Sequence, residues 1–315
     1  MNLKINTKKM AFGFVSAAIA VTLLFCGTAA YGQNVSKDNV STTDCASDMP
    51  FMLLQIQADV QGSLNNLDAD VANADQNLSM AGLEGNAARQ VLNKLLDTNS
   101  NLVEALTFGK DGKIISVVEC KGCKGIEDNN TSGRDILSLH SNGNLSQSAI
   151  EVINQVLKTR APAFSKVFKT MKGINGTGLA YPVISPQGVL LGGIYTTIEP
   201  VKLLNAMVAP QLHFNISTRS NITDYSFWML LSDGLVAYDR DESQIGKNLF
   251  EDPLYKPFPS LLDLGKRIIT ERSGHGNYSF QVTEGNKKVV TKDTYWTTAS
   301  LHGREWRLVI TKITQ

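Results

Sequence analysis

Gly188-Val-Leu-Leu-Gly-Gly-Ile-Tyr-Thr-Thr-Ile198 has a counterpart 115 positions later, Gly303-Arg-Glu-Trp-Arg-Leu-Val-Ile-Thr-Lys-Ile313, and each reads as a turn glycine feeding a strand. A second shared piece lies upstream of each. Lys110-Asp-Gly-Lys-Ile-Ile115 and Ser232-Asp-Gly-Leu-Val-Ala237, offset by 122, are both Asp-Gly turns that enter an apolar strand. Two pieces that recur in the same order at nearly the same spacing predict two copies of one module. Length agrees, because 315 residues with 43% hydrophobic and 19% charged residues are enough for two cores of roughly 100 to 150 residues each.

Outward from the repeat, residues 1–32 read as a targeting segment. A basic stretch through Lys9 precedes an apolar run from Met10 to Phe25, followed by small residues at Thr28-Ala29-Ala30 and Ala30-Tyr31-Gly32. The run is short for a permanent span. Leu23-Leu24-Phe25-Cys26-Gly27 resembles a lipobox, so the segment ends either in cleavage near Gly32 or in lipidation at Cys26. In both cases the folded part is exported, and a lipid would tether it to the membrane. Residues 33–48 are polar, without aromatics, and read as a flexible tether.

Net charge is +1; without the first 32 residues three lysines and no acid are lost, leaving 27 basic against 29 acidic residues. Neither balance suits a nucleic-acid binder. Ten Asn-X-Ser/Thr acceptors, at Asn34, Asn39, Asn77, Asn129, Asn130, Asn144, Asn175, Asn215, Asn221 and Asn277, mark either surface glycosylation or a chain simply rich in Asn and Ser. Cys120-Lys-Gly-Cys123 is a redox pair, half a metal site or a local disulfide. Export favours the disulfide. Cys45 is then the odd thiol.

After Pro50, Leu53, Ile56, Val60, Leu64, Leu67, Val71, Ala74 and Leu78 advance in steps of three and four, which predicts a long amphipathic helix within 49–100. Gly82 and Gly85 interrupt it before Ala88, Val91, Leu92, Leu95 and Leu96 resume the face. Its stripe packs either on its own domain or along a partner helix, as in a homodimer. A first module, 101–208, is expected to contain a hairpin around Asp111-Gly112, a helix from Ser146 to Lys158, a strand from Phe164 to Lys169, a glycine turn from Gly173 to Gly178, and strands at 179–184 and 189–198. A second module, 209–315, repeats the order, with strands near 278–282, 289–296 and 306–310 and a helix around 261–270. Antiparallel strands with helices on one face give the class α+β.

These pieces resemble the double Cache extracytoplasmic sensor region, a PAS-like family in which a long amino-terminal helix carries two stacked sheet modules. The resemblance covers about residues 50–313. It rests on the helix from Pro50 to Asp97, Asp111-Gly112-Lys-Ile-Ile115, Gly133-Arg-Asp-Ile-Leu137, the run Tyr181 to Ile194, and Asp233-Gly-Leu-Val-Ala-Tyr-Asp239 with Ile245-Gly-Lys-Asn-Leu249. It implies a small-molecule ligand held by the first, membrane-distal module between its sheet and a loop-helix lid, with the second module membrane-proximal. In that family an Asp just after the Gly-Ile step often takes an amine; here Tyr195 follows Gly193-Ile194 and no Trp-Tyr pair follows Arg134. A carboxylate, sugar or aromatic ligand is therefore expected ahead of an amine.

The expected ligand set is Arg134, Phe164, Tyr181, Tyr195 and Thr197. Tyr195 and Thr197 share a strand face because side chains alternate, and Arg134 offers a two-pronged donor for a carboxylate. Phe164 belongs either to the lid or, with Phe168, to the core. Tyr238, Tyr255, Trp296 and Trp306 line a second pocket or fill the second core, and the core is the expectation. The four histidines, at 140, 213, 275 and 302, are dispersed, and no nucleophile elbow, P-loop or dinucleotide fingerprint occurs, so no catalytic, metal or cofactor site is expected. With the second module running to the last residue, no output domain is expected either, and a membrane signalling partner would pass the signal on. The expectation is an exported sensor or solute-binding protein; the alternative is a surface structural or adhesion protein without a working pocket.

Overall fold

The stripe after Pro50 forms helix α1 (Met49–Ala81), and all eight residues expected on its apolar face are buried, together with Met49 and Met52. Pro50 sits in the first turn, where its missing N–H is not needed. Gly82, at φ 85°, ends the helix and donates its N–H to the Leu78 carbonyl at 2.8 Å. Helix α2 (Gly85–Thr98) follows. The computed structural model describes residues 48–120, 146–170, 173–214, 225–281 and 288–314. The targeting segment with Cys26, the tether up to residue 47 with Cys45, and Cys123 and Arg134 lie outside them.

Two antiparallel sheets follow. The first holds β1 (Leu102–Gly109), β2 (Ile114–Glu119), β3 (Ala163–Phe164), β4 (Phe168–Lys169), β5 (Asn175–Ile184) and β6 (Leu190–Ile198), in the order β2-β1-β6-β5-β3 with β4 also on β5. The second holds β7 (Tyr225–Leu231), β8 (Val236–Asp239), β9 (Gly274–Gln281), β10 (Val289–Leu301) and β11 (Arg304–Ile313), in the order β8-β7-β11-β10-β9. The repeated stretch thus becomes β6 and β11, each beside the first strand of an Asp-Gly hairpin. Gly188 and Gly303 enter these strands at φ 80° and 79°, a region that glycine occupies without penalty. The hairpin turns also coincide: Asp111 Oδ1 accepts from the Lys113 N–H and Asp233 Oδ1 from the Leu235 N–H, each at 3.2 Å.

Helices cover both faces of each sheet, not one as the sequence suggested. Helix α1 packs across one face of both sheets, joined by residues of α2 and of α4 (Pro200–Phe214). On the opposite faces, α3 (Gln147–Thr159) covers Leu106, Phe108, Ala180 and Tyr195, and α5 (Pro259–Thr270) covers Trp228, Leu230, Trp296 and Val309. The cause is visible in the strands. Leu179 with Ala180, and Ile194 with Tyr195, are adjacent apolar residues on opposite faces, so neither face of the central strands can meet water.

Ser146 caps α3, its Oγ accepting from the Ala149 N–H at 3.2 Å, as its position before the helical run suggested. Two local expectations are corrected. Phe164 to Lys169 is not one strand but two short pairs, β3 and β4, on either side of a break. Gly173 to Gly178 is not all turn: β5 begins at Asn175, and Gly178 lies within the strand, where a Cβ would collide with the Tyr195 ring. Asn175 itself is buried, which removes it as a glycan acceptor. Cys120, after β2, is disulfide-bonded to a residue outside the described set. Among the described residues no helix is long and apolar enough to cross a membrane.

Candidate functional site

The pairing of β5 with β6 decides where the expected ligand residues point. Tyr181 stands opposite Ile194 and Ala180 opposite Tyr195, while Phe164 stands opposite Leu179. Phe164 and Tyr181 consequently face α1, whereas Tyr195 and Thr197 face the α3 side. The structure therefore does not bring the four together, and Arg134 lies outside the described residues. The Phe164 ring packs on Trp306 of the second sheet at 5.8 Å, and its carbonyl accepts from Arg304 Nε at 3.1 Å. Tyr181 donates its hydroxyl to Asp68 Oδ1 of α1 at 2.6 Å, and its ring meets His302 edge-on at 5.9 Å. Both side chains serve the junction between the sheets. Tyr195 is fully buried and its hydroxyl makes no well-aligned hydrogen bond. Burial, and then the charge of Glu104, push that phenol upward against a weaker opposing effect of Thr197.

A cavity of about 500 Å³ lies in the second sheet instead, on the face covered by α5. Its floor comes from alternate residues of neighbouring strands. Lys292 of β10 is opposite Tyr278 of β9, and Val290 opposite Phe280, so the lysine and two aromatic rings share one face. Lys292 Nζ lies 5.9 Å from the Tyr278 ring centre and 5.7 Å from that of Phe280, within cation–π range. Trp228 from β7 and Tyr255 from the segment before α5 add further aromatic wall.

The polar side is built where β8 ends. Asp239 Oδ1 accepts from the Asp241 N–H at 2.8 Å, and Asp241 accepts from the Ser243 N–H at 3.1 Å and from Gln244 Nε2 at 3.3 Å. Gln244 Oε1 in turn accepts the Tyr255 hydroxyl at 2.8 Å. Arg240 Nη1 donates to the Tyr225 carbonyl at 3.2 Å. Burial pushes the Asp239 carboxyl up to about 7, against the Asp241 N–H and the positive charge of Lys292. Against the upward push of burial, hydrogen bonds from Ser243 and Gln244 hold Asp241 below the usual range. Lys292 is lowered by burial, opposed by the charges of Asp239 and Asp241. Tyr255 and Tyr278 are both raised, by burial and then by Asp239.

Two donors in this wall lack acceptors. Lys292 is 8% exposed and makes no side-chain hydrogen bond or ion pair among the described residues. The Trp228 Nε1–H is buried without a partner. A buried donor without a partner is costly in a native structure, so the indole calls for an explanation, and the lysine lines the same cavity. Of the aromatics expected to fill the second core, Tyr255 lines the cavity. Tyr238 donates to Asn205 of α4 at 2.7 Å, Trp296 to the Glu271 carbonyl at 3.2 Å, and Trp306 packs on Phe164. Sequence reading missed this site because its residues are spread from 225 to 313. The signals available were Asp239-Arg-Asp241 directly after the second hairpin and a lysine placed mid-strand at 292.

Residues 62–200 match the family described as HK/GC/chemotaxis protein-like, sensor domain. No match is found among curated proteins. Among solved structures, an extracellular ligand binding receptor from Desulfohalobium retbaense superposes with TM-score 0.63 at 23% identity, over 85% of this chain and 41% of that one. This chain thus spans about two-fifths of that receptor's length. The periplasmic sensory domain of the Campylobacter jejuni chemoreceptor Tlp1 gives TM-score 0.53 at 12% identity, covering 83% of this chain and 92% of that one. The ligand-binding domain of the Pseudomonas aeruginosa amino acid chemoreceptor PctB, in complex with L-Arg, gives 0.53 at 12%, covering 84% and 94%. With its long helix, its duplicated antiparallel sheets and its match to a sensor-domain family, the chain has the double Cache fold of chemoreceptor sensor regions.

Proposed function

We propose that this chain is an exported small-molecule-binding protein, a sensor or solute-binding module without catalytic activity, whose ligand occupies the cavity of the second sheet. The observation that supports this reading is the cavity of about 500 Å³ whose wall holds a buried indole N–H without an acceptor and a largely buried lysine with no side-chain hydrogen bond among the described residues. Its size falls in the range of small-ligand sites, and it combines apolar walls with a few convergent polar groups. The solved relatives are described as ligand binding, one of them with L-Arg bound, which is compatible with the same use of the fold here. Helix α1, packed on both sheets, is the element through which occupancy would reach a membrane partner. Lipid attachment at Cys26 would keep the module at the membrane, and the outer face of α1 would serve a homodimer. A structural or adhesion protein would have no use for a cavity with unmatched donors.

Thermal-shift screening of the purified protein against a broad metabolite library tests the reading. A ligand at about 100 times its dissociation constant stabilises by about 2.7 kcal/mol. A hit whose effect disappears in Trp228→Phe and Lys292→Gln supports the second-sheet site; a library without a single hit rejects ligand binding. One observation favours a second reading, with ligand on the outer face of the first sheet at Tyr195 and Thr197: the buried Tyr195 hydroxyl has no well-aligned partner. A hit lost in Tyr195→Phe but kept in Lys292→Gln would select it.

A further inference from the structure

We propose that the second-sheet cavity takes a small carboxylate with an apolar or aromatic body, its anionic oxygens received by the Lys292 ammonium and the Trp228 indole N–H. This deepens the reading that the cavity is a ligand site and rests on it. The inference follows from which hydrogen-bonding capacity in the wall is already used. The carboxylate oxygens of Asp241 accept from Ser243 and Gln244, Asp239 Oδ1 accepts from Asp241, and Gln244 Oε1 accepts from Tyr255. Apart from Asp239 Oδ2, the side-chain groups left over are donors. Lys292 has ring faces beside it and the charges of Asp239 and Asp241 acting on it but no hydrogen bond among the described residues, and the Trp228 N–H has no partner.

An amine entering this cavity would find most of the acceptors occupied and a lysine repelling it. A carboxylate would supply the acceptors that both orphan donors lack, and a charge-assisted bond to a buried ammonium is among the stronger kinds. Asp239 acts in the same direction, because burial favours its neutral form up to about pH 7, in which it repels no anion and can donate a third hydrogen bond. The other ionisable groups in the wall are Arg240, Asp241, Tyr255 and Tyr278. Tyr255 and Phe280, 5.9 Å apart, offer flat walls to a ring or chain.

The experiment is isothermal titration of the purified protein with benzoate, hexanoate and phenylpropionate, each beside the primary amide and the amine of the same skeleton. At least one carboxylate is expected to bind about tenfold or more tighter than its amide and amine. Lys292→Met should abolish that preference while raising the melting temperature of the free protein, since it removes a largely buried ammonium that makes no hydrogen bond among the described residues; this pair of readouts separates loss of binding from loss of fold. Trp228→Phe, which keeps an aromatic though smaller ring and removes the N–H, should weaken the carboxylate about tenfold. Amines binding tighter than carboxylates, or a carboxylate affinity unchanged in Lys292→Met, would overturn the assignment. If no carboxylate binds but the metabolite library yields a ligand of another class in this cavity, the ligand class is wrong and the sensor reading stands. If neither experiment finds a ligand, both fall.

Discussion

Asp239 is a carboxylate whose chemistry the fold alters strongly. Its carboxyl is raised from an ordinary 3.8 to about 7, so between about pH 4 and 7 the folded chain keeps a proton that the unfolded chain has released. Stability contributed by this group is therefore full below about pH 4 and falls as pH rises to about 7, by on the order of 4 kcal/mol. Asp75, pushed up to about 6 by burial, acts in the same direction. Denaturation of Asp239→Asn at several pH values should show a shallower decline than the parent protein and higher stability above pH 7; an unchanged pH profile would contradict the assignment. A second comparison separates the two tyrosines once expected in one pocket. Tyr181→Phe loses a 2.6 Å bond to Asp68 and should cost about 1 to 3 kcal/mol, whereas Tyr195→Phe removes a hydroxyl without a well-aligned partner and should be neutral or stabilising in the free protein. That Tyr195 and Thr197 share a face was legible from alternation alone. That Tyr181 faces the other way was not, because it depends on the register of β5 against β6, which shifts at Val183/Ile184 beside the turn.

Elements were legible where their period was long. The stripe of α1 was read correctly from Leu53 to Leu78 because about seven turns of repeated spacing leave no other solution, while the two-residue strands β3 and β4 give no period at all. The end of α5 shows what spacing cannot reveal. Arg307 of β11, 4% exposed at its side chain, donates from Nε to the Ile268 carbonyl at 2.9 Å and from Nη2 to the Ile269 carbonyl at 3.3 Å, with Glu305 at 2.8 Å. A strand residue thus satisfies the last carbonyls of a helix, which have no partner within the helix and carry partial negative charge. Arg307→Ala should lower stability by roughly 3 kcal/mol in urea titrations. Arg307→Lys should recover only part of it, since one ammonium cannot reproduce the planar fork. Gly178→Ala should also destabilise, because the added methyl and the Tyr195 ring cannot occupy the same space.

At the scale of the whole molecule, the two sheets and α1 meet at one junction. Phe164 lies on Trp306, Arg304 reaches the Phe164 carbonyl, and Asp68 of α1 is shared by Tyr181 of the first sheet and His302 of the second, each at 2.6 Å. Phe164→Ala should cost about 3 to 5 kcal/mol and loosen the second sheet as well as the first, visible as faster amide exchange in β11. Slower or equal exchange there would mean that the sheets are held independently. The sequence by itself determined the duplication, the α+β class, the long helix and the positions of the turn glycines, because these follow from local periodicity and from backbone angles that glycine adopts without strain. Tertiary structure alone decided that helices cover both faces of each sheet, that Phe164 and Tyr181 join modules, and that the described cavity lies in the second sheet. Those outcomes depend on strand register and on contacts between residues up to 241 positions apart, such as Gln57 with Thr298, which no local pattern encodes.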